Sequence, residues 1–395
     1  MSQAPAGRTP PKRRDWSWRS QAFRGLVYQA LAIALIAAAV WWLASNTLEN
    51  MRVRGIQSGF GFLLSPAGFD IGEYMIPYDA LDPYWKAFLI GVLNTLRVAI
   101  IGIVLTTLLG TLIGIGRFSP NAIVRGVCYC YVELFRNVPV VLQLLMWYLL
   151  FTELLPDPQT PISAAGLFYL SKGGFAFPVP VWGLGQGLAL GGAVVGIFGA
   201  RYYRRKAIRR FELTGTPPRI FWPSLLLIVG CAFAGWLAGG APTAWLIPTH
   251  ADMVEGGGTV TPEFLAVLLG LTLYTAAFAA EVVRAGIASV PHGQSEASNS
   301  LGLARGHTMR LVILPQALRV IIPPMTNQYL NLTKNSSLAV AIGYPDVVSI
   351  ANTALNQTGR AVECIAIIMA VYLTTSLSTS FLMNVYNKRT AIKER

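Results

Sequence analysis

Charge is scarce in this sequence. Asp, Glu, Lys and Arg together make up 12% of its 395 residues, about half the ~25% usual in a soluble domain. The apolar share is 54% and the mean hydropathy is +0.51. A soluble fold of this size cannot cover that much hydrocarbon with so few charges, and a disordered chain or a collagen-like fibre is equally excluded. Cysteine is also sparse. Cys128, Cys130, Cys231 and Cys364 all lie in apolar runs, which excludes a secreted disulfide scaffold and reads as buried free thiols. Cys128 and Cys130 stand two apart, on different faces of a helix. The three histidines, His250, His292 and His307, form no cluster with metal-ligand spacing. No Gly-x-x-x-x-Gly-Lys-Ser/Thr loop is present to cradle ATP phosphates, and no catalytic triad suggests itself. The expectation is a polytopic membrane protein that is not itself an enzyme, with no metal and no cofactor of its own.

The net charge is 31 − 18 = +13. The basic residues flank apolar runs, so the partner they indicate is the bilayer and not nucleic acid. A hydrocarbon core of about 30 Å needs about 20 apolar residues in a helix. Such runs lie near 25–45, 86–116, 122–151, 181–200, 219–240, 263–288, 311–343 and 361–386. Lipid offers the backbone no hydrogen-bond partner, so the expected class is all-α with about eight transmembrane helices. Lys and Arg concentrate before the first run, in 201–219 and after the last run. These three segments are expected on the cytoplasmic side, which an even number of spans satisfies. The loop 46–85 carries Glu49, Asp70, Glu73, Asp79 and Asp82 against only Arg52 and Arg54, and 241–262 has no Lys or Arg. The polar lead and the first apolar run are both long for a signal peptide, so a retained first span is expected. Trp16, Trp18, Trp41, Trp42, Trp85, Trp182 and Trp222 sit near span ends, where indole prefers the interface. Gly110-x-x-x-Gly114 and the glycines from Gly183 to Gly199 would allow close helix packing.

One segment on the cytoplasmic side does not read as a generic loop. Between the sixth and seventh runs, Gln294-Ser295-Glu296-Ala297-Ser298 can start a short helix, with Ser295 as N-cap and Glu296 at the positive helix end. Gly302 can end it in a left-handed turn. A second amphipathic stretch then leads into Leu314-Pro315. With apolar Ala297, Leu301 and Leu303 among small polar residues, this helix-turn-helix suits docking better than solvation. It resembles the EAA loop of ABC importer permeases: Glu296, Ala297, Gly302, Leu314 and Pro315 match the family's spacing. Ser298 replaces the second alanine, and Val312 stands where isoleucine is usual. The resemblance implies a type I importer (MetI-like) core whose loop 289–310 is the coupling helix seated in a cytoplasmic ATPase subunit.

Further segments are similar to the polar-amino-acid (histidine and glutamine transporter) permeases. They begin at Gly91-Val-Leu-Asn-Thr-Leu-Arg, Glu133-Leu-Phe-Arg-Asn-Val-Pro, Tyr274-Thr-Ala-Ala-Phe-Ala-Ala-Glu and Leu332-Thr-Lys-Asn-Ser-Ser. The implied division is a cytoplasmic tail 1–24, an extra helix 25–45, a periplasmic loop 46–85, a transmembrane domain 86–388 and a tail 389–395. Within the domain, the core 86–154 and 262–388 is interrupted by a two-span insertion, 155–261. Length and insertion resemble the general L-amino-acid (Aap/Bzt) permeases. That resemblance implies an inner-membrane subunit carrying L-amino acids, a second unlike permease, two ATPase subunits that hold ATP and Mg, and a periplasmic solute-binding protein. A permease for another polar solute, or an ion-coupled secondary transporter, is the alternative; no inverted repeat supports the latter.

Two sets of polar residues within the runs are candidates for the transport path. Asn327, Asn331, Lys334 and Asn335 fall on one helical face after Pro323-Pro324. They either line a water-filled path, where Lys334 would meet a substrate carboxylate, or snorkel to the interface. Glu133 with Arg136, and Glu281 with Arg284, are i,i+3 pairs that either bond locally or form a gate. Pro139 is expected to kink the third span.

Overall fold

The computed structural model describes residues 18 and 20–390, apart from 54, 56, 57, 216 and 217. Most of the basic amino-terminal tail, Trp16, and Lys393 and Arg395 therefore lie outside the described residues. The long helices follow the apolar runs. They are α1 (Gln21–Val53), α2 (Tyr84–Gly116), α3 (Ala122–Asn137) and α4 (Val140–Leu149), the last continued by a π-helical turn at Leu150–Leu154. Strands β1 (Ile162–Ala164), β2 (Phe168–Ser171), β3 (Gly174–Phe177) and β4 (Val179–Pro180) precede α5 (Leu184–Thr214) and α6 (Phe221–Ala238). Strands β5 (Trp245–Leu246), β6 (Thr249–His250), β7 (Val254–Glu255) and β8 (Gly258–Val260) lead into α7 (Pro262–Ala288). After α7 come α8 (His292–Ser300), α9 (Arg305–Thr308), α10 (Leu314–Asn335), α11 (Val347–Thr358) and α12 (Ala361–Thr390).

Six of these helices are long and apolar enough to cross a membrane alone, and two bent pairs raise the number to eight. The first bent pair is α3 with α4, expected as one run over 122–151 but broken by 104°. Pro139 has no N–H, and it holds Val138 extended (φ −96, ψ 128). The Gln143 amide donates to the freed carbonyls of Phe135 and Val138, both at 2.9 Å, while its own buried Oε1 finds no partner among the described residues. The second pair continues α10 through a 3-10 turn, Ser336–Ile342, into α11 with a 50° bend. Gly343 turns at φ +78, and the Asp346 carboxylate caps α11 by accepting from Ser349 N at 2.8 Å. The expected run ended at 343 because 347–358 is too rich in Ser, Asn, Thr and Gln for hydropathy to register.

The short strands depart from a purely helical reading. All of them flank the α5–α6 hairpin, outside the apolar runs, where the rule against open strands does not reach. Lys172-Gly173 forms the two-residue turn of the β2–β3 hairpin, and β8 pairs with β3 to complete the order β1-β2-β3-β8.

Helix directions follow from the contacts. A Cβ on Gly110 would stand 2.6 Å from the Ala279 Cβ, and one on Gly114 would stand 2.8 Å from the Ala280 carbonyl. α2 and α7 are therefore parallel and meet along a stripe of small residues, which brings backbones close enough for dispersion to replace the missing hydrophobic drive in lipid. The line α10–α11 runs antiparallel along α2: Thr107 meets the Tyr329 hydroxyl at 2.8 Å, and the Tyr84 hydroxyl donates to Gln357 at 2.6 Å. These directions gather the ends of α2 and α7 and the α8–α9 segment on one side. The strands and the loop 58–83 lie on the other.

Candidate functional site

The segment between α7 and α10 projects as a capped nine-residue helix. Its start differs from expectation. α8 begins at His292 with Pro291 as the extended N-cap residue, so Ser295 lies inside the helix and not at its cap. Pro291 fits because a helix start needs no N–H from it. The end is as read from sequence. Gly302 adopts φ +70, Gly302 N donates to Asn299 O at 2.9 Å, and Leu303 N donates to Ser298 O at 3.1 Å. That pair of bonds is a Schellman cap, which satisfies two carbonyls that would otherwise be orphans. Ser298 is buried and turns its hydroxyl onto Gln294 O at 2.7 Å, while Glu296, Ala297 and Gly302 are exposed. Leu301 stands 80% exposed.

The protrusion is fastened to two long helices. Gln316 on α10 donates to the Gln294 side chain at 3.2 Å. At the end of α7, a Cβ on Gly286 would come within 2.2 Å of Ile321 Cγ1 on α10, so the two helices interlock. Leu314 and Pro315 begin α10 after a π-helical turn at Met309–Ile313. That wider turn accommodates a proline ring that would clash with a regular preceding turn.

Near the same side, Glu281 accepts from Arg284 (Nε at 3.1 Å) and also from Arg117 at the end of α2. The local i,i+3 pair is thus half of a bridge between α2 and α7. The other expected pair does not form. Arg136 lies over the Phe278 ring at 5.3 Å, and Glu133 accepts from the Asn137 amide at 3.3 Å.

Asn327, Asn331 and Lys334 are exposed on one face of α10, with Asn335 half-buried beside them. Their side chains make no hydrogen bond or ion pair among the described residues. The opposite face, with Ile322, Met325 and Leu332, is buried against this chain's own helices. A row of three amides and an ammonium left facing hydrocarbon would cost several kcal/mol, roughly 2.5–3.5 for a lysine at the centre alone. Such a face belongs against water or another subunit.

On the far side, Glu73 forms a junction that sequence reading missed. Its carboxylate bonds the Arg97 guanidinium and accepts from the Thr261 hydroxyl at 2.6 Å. Arg97 also covers the Phe264 ring at 4.2 Å, and the Asn94 amide donates to Glu73 O and Pro345 O at 2.8 and 2.9 Å. This ties the loop 58–83, α2, the start of α7 and the α10–α11 break to one point. A charged residue inside an apolar run was the available signal for Arg97; nothing in the sequence named Glu73 as its partner. Further along the loop, the hydrogen bond from Lys86 holds the Asp82 carboxyl below its ordinary range. Burial, reinforced by the charge of Asp82, pushes the Tyr78 phenol up to about 12. Replacing Glu73 by alanine strands the Arg97 charge and is expected to destabilise the fold by about 3 kcal/mol. Thermal unfolding of the solubilised protein reads this, and Glu73→Ala combined with Arg97→Met should recover most of the loss. An unchanged melting temperature in the single variant would remove the junction from the account.

The arrangement defines a class: a helical membrane subunit with a short capped helix projecting between two long ones. The chain belongs to the family of binding-protein-dependent transport system inner membrane components, whose model matches residues 106–392. It is 43% identical over 403 residues to the general L-amino acid transport system permease protein AapQ of Rhizobium johnstonii, covering 100% of both chains. It is 46% identical over 391 residues to the putative amino-acid ABC transporter permease protein YhdX of Escherichia coli, covering 96% of this chain and 97% of that one. It is 39% identical over 407 residues to the glutamate/glutamine/aspartate/asparagine transport system permease protein BztB of Rhodobacter capsulatus, covering 94% and 95%. The chain is a multi-pass inner-membrane permease subunit of an ABC importer. It is a transport subunit and not an enzyme, and it works with ATPase and solute-binding-protein partners.

Proposed function

We propose that this subunit carries L-amino acids and pairs with a second, unlike permease, two ATPase subunits and a periplasmic solute-binding protein. ATP and Mg belong to the ATPase subunits. The basic side, with both chain termini, faces the cytoplasm; the strands and the loop 46–85 face the periplasm. The core comprises 86–154 and 262–388, and 155–261 is an insertion into it. Glu296, Ala297, Ser298, Gly302, Leu314 and Pro315 couple the ATPase to α7 and α10. Asn327, Asn331, Lys334 and Asn335 line the path that forms against the second permease. Glu281 with Arg284, joined by Arg117, acts as the gate across α2 and α7, and Glu133 and Arg136 stand beside it as separate contacts.

The observation that carries this reading is the exposed, Schellman-capped α8 fastened to two interlocked helices. A lever needs a stiff tip and a stiff attachment, and a two-state transporter needs an element that both ATPase and substrate can bias. Reconstitution in proteoliposomes with the partner subunits tests it, using a panel of acidic, neutral and basic amino acids. ATP-dependent uptake of at least one class is expected; uptake that persists without the ATPase would refute the reading.

A further inference from the structure

The α5–α6 hairpin has no part in the coupling segment or the polar face of α10, and none of the residues of α6 is buried. Glycines zip its two helices together. A Cβ on Gly192 would come within 2.1 Å of Cys231 O, and one on Gly196 within 2.6 Å of Ile228 Cα. The packed face continues through Ala200, which is buried, while a Cβ on Gly199, off that face, would meet nothing within 4 Å. Along one flank of the pair runs a cleft of about 530 Å³ walled by Ile197, Phe221, Leu225 and Ile228, with Arg201 and Arg204 one turn further along α5. α5 runs on past the start of α6, and the Tyr203 hydroxyl donates to Arg219 O at 3.4 Å. A second cavity, of about 630 Å³, opens there beside Lys206, Arg210 and Arg219.

The charge in this region is lopsided. Residues 184–251 contain seven Lys and Arg, all within 201–219, and a single acid, Glu212. None of the seven forms an ion pair among the described residues. Membrane orientation requires basic residues near a span end, but it does not require a hydrocarbon-lined cleft directly beneath them. Another apolar helix would fill the cleft and leave the guanidinium groups uncompensated. An acidic peptide would suit the guanidinium groups and leave the cleft empty. One molecule matches both halves. We propose that the basic end of the α5–α6 hairpin is a binding site for one anionic phospholipid. An acyl chain lies between Ile197, Leu225 and Ile228, and the headgroup phosphate lies against Arg201 and Arg204. The hairpin then anchors the insertion to the cytoplasmic leaflet, where anionic headgroups attract basic residues.

Native mass spectrometry of the assembled importer tests this. The detergent-purified complex is exposed to phosphatidylglycerol and phosphatidylcholine with identical acyl chains. Phosphatidylglycerol should be retained about thirtyfold more strongly, since two arginines act on its net charge. Arg201→Gln with Arg204→Gln leaves five basic residues to fix orientation, and should abolish the preference. Leu225→Trp keeps every charge, fills the cleft, and should lower retention of both lipids. Glycerol phosphate should not displace the bound lipid. Equal retention of the two lipids by the wild-type complex overturns the proposal, as does an undiminished preference in the double arginine variant. Undiminished binding in Leu225→Trp removes the acyl seat, and displacement by glycerol phosphate shows a free-phosphate site instead; each also overturns it.

Discussion

Replacing Gly302 by valine should cut ATP-driven uptake about tenfold or more, while Gly302→Asn should transport nearly as the parent protein does. The residue sits at φ +70 at the end of α8. An ordinary L-residue there costs roughly 1–2 kcal/mol, and a branched Cβ costs more. Asparagine tolerates the same conformation. Space is not at issue, because a Cβ at Gly302 would meet nothing within 4 Å. The effect must therefore travel through the backbone. A helix of nine residues is too short to persist on its own. It depends on its Schellman cap and on the Gln294–Gln316 bond. Loss of the cap by about 1.4 kcal/mol or more lowers the population of the docking-competent tip about tenfold. Two readouts are needed: amino-acid uptake in proteoliposomes, and the amount of ATPase subunit that co-purifies. If the valine variant couples hydrolysis to uptake as well as the asparagine one does, α8 is not the handle.

The sequence was most legible where one physical rule dominates. Apolar runs of about 20 residues located the long helices, since lipid enforces both length and helicity. Gly110 and Gly114 declared close packing, and it occurs against Ala279 and Ala280. The end of α8 and the start of α10 were legible because glycine takes a left-handed turn without strain, as Gly302 does, and because a proline such as Pro315 is tolerated in the first turn of a helix. Legibility failed where a partner lies far along the chain. Arg117 and Glu281 stand 164 residues apart, and Arg97 and Glu73 meet only through the loop 58–83. It failed again where a polar segment completes an apolar line, as α11 completes α10. Hydropathy averages over a window, so a bend capped by a single carboxylate such as Asp346 does not register. The Ser295 cap was misplaced for a related reason. A serine is a good N-cap residue, but Pro291 stands four residues earlier and had already turned the chain into the helix.

The same mixture of folded and unmet chemistry makes Lys334 the second decisive position. Changing Lys334 to alanine should reduce amino-acid uptake about tenfold to a hundredfold. Complex assembly and basal ATP hydrolysis should be unaffected. The side chain is exposed and its ammonium has no partner among the described residues, so this chain's own fold loses nothing when it is removed. Its neighbours Asn327, Asn331 and Asn335 share its face, which points away from the helices buried behind Leu332 and Met325. A hydrogen bond to a charged group contributes about 1.5–3 kcal/mol, which sets the size of the expected loss for a substrate carboxylate. Snorkelling predicts otherwise. In that case Lys334 serves only to reach the interface, and alanine would leave uptake intact. Arginine at the same position separates charge from shape: it keeps the cation but replaces a compact ammonium with a planar fork. Partial uptake with arginine, alongside loss with alanine, is the signature of a carboxylate contact. Wild-type rates for the alanine variant would take Lys334 out of the path and leave the polar face of α10 as an interface with the second permease.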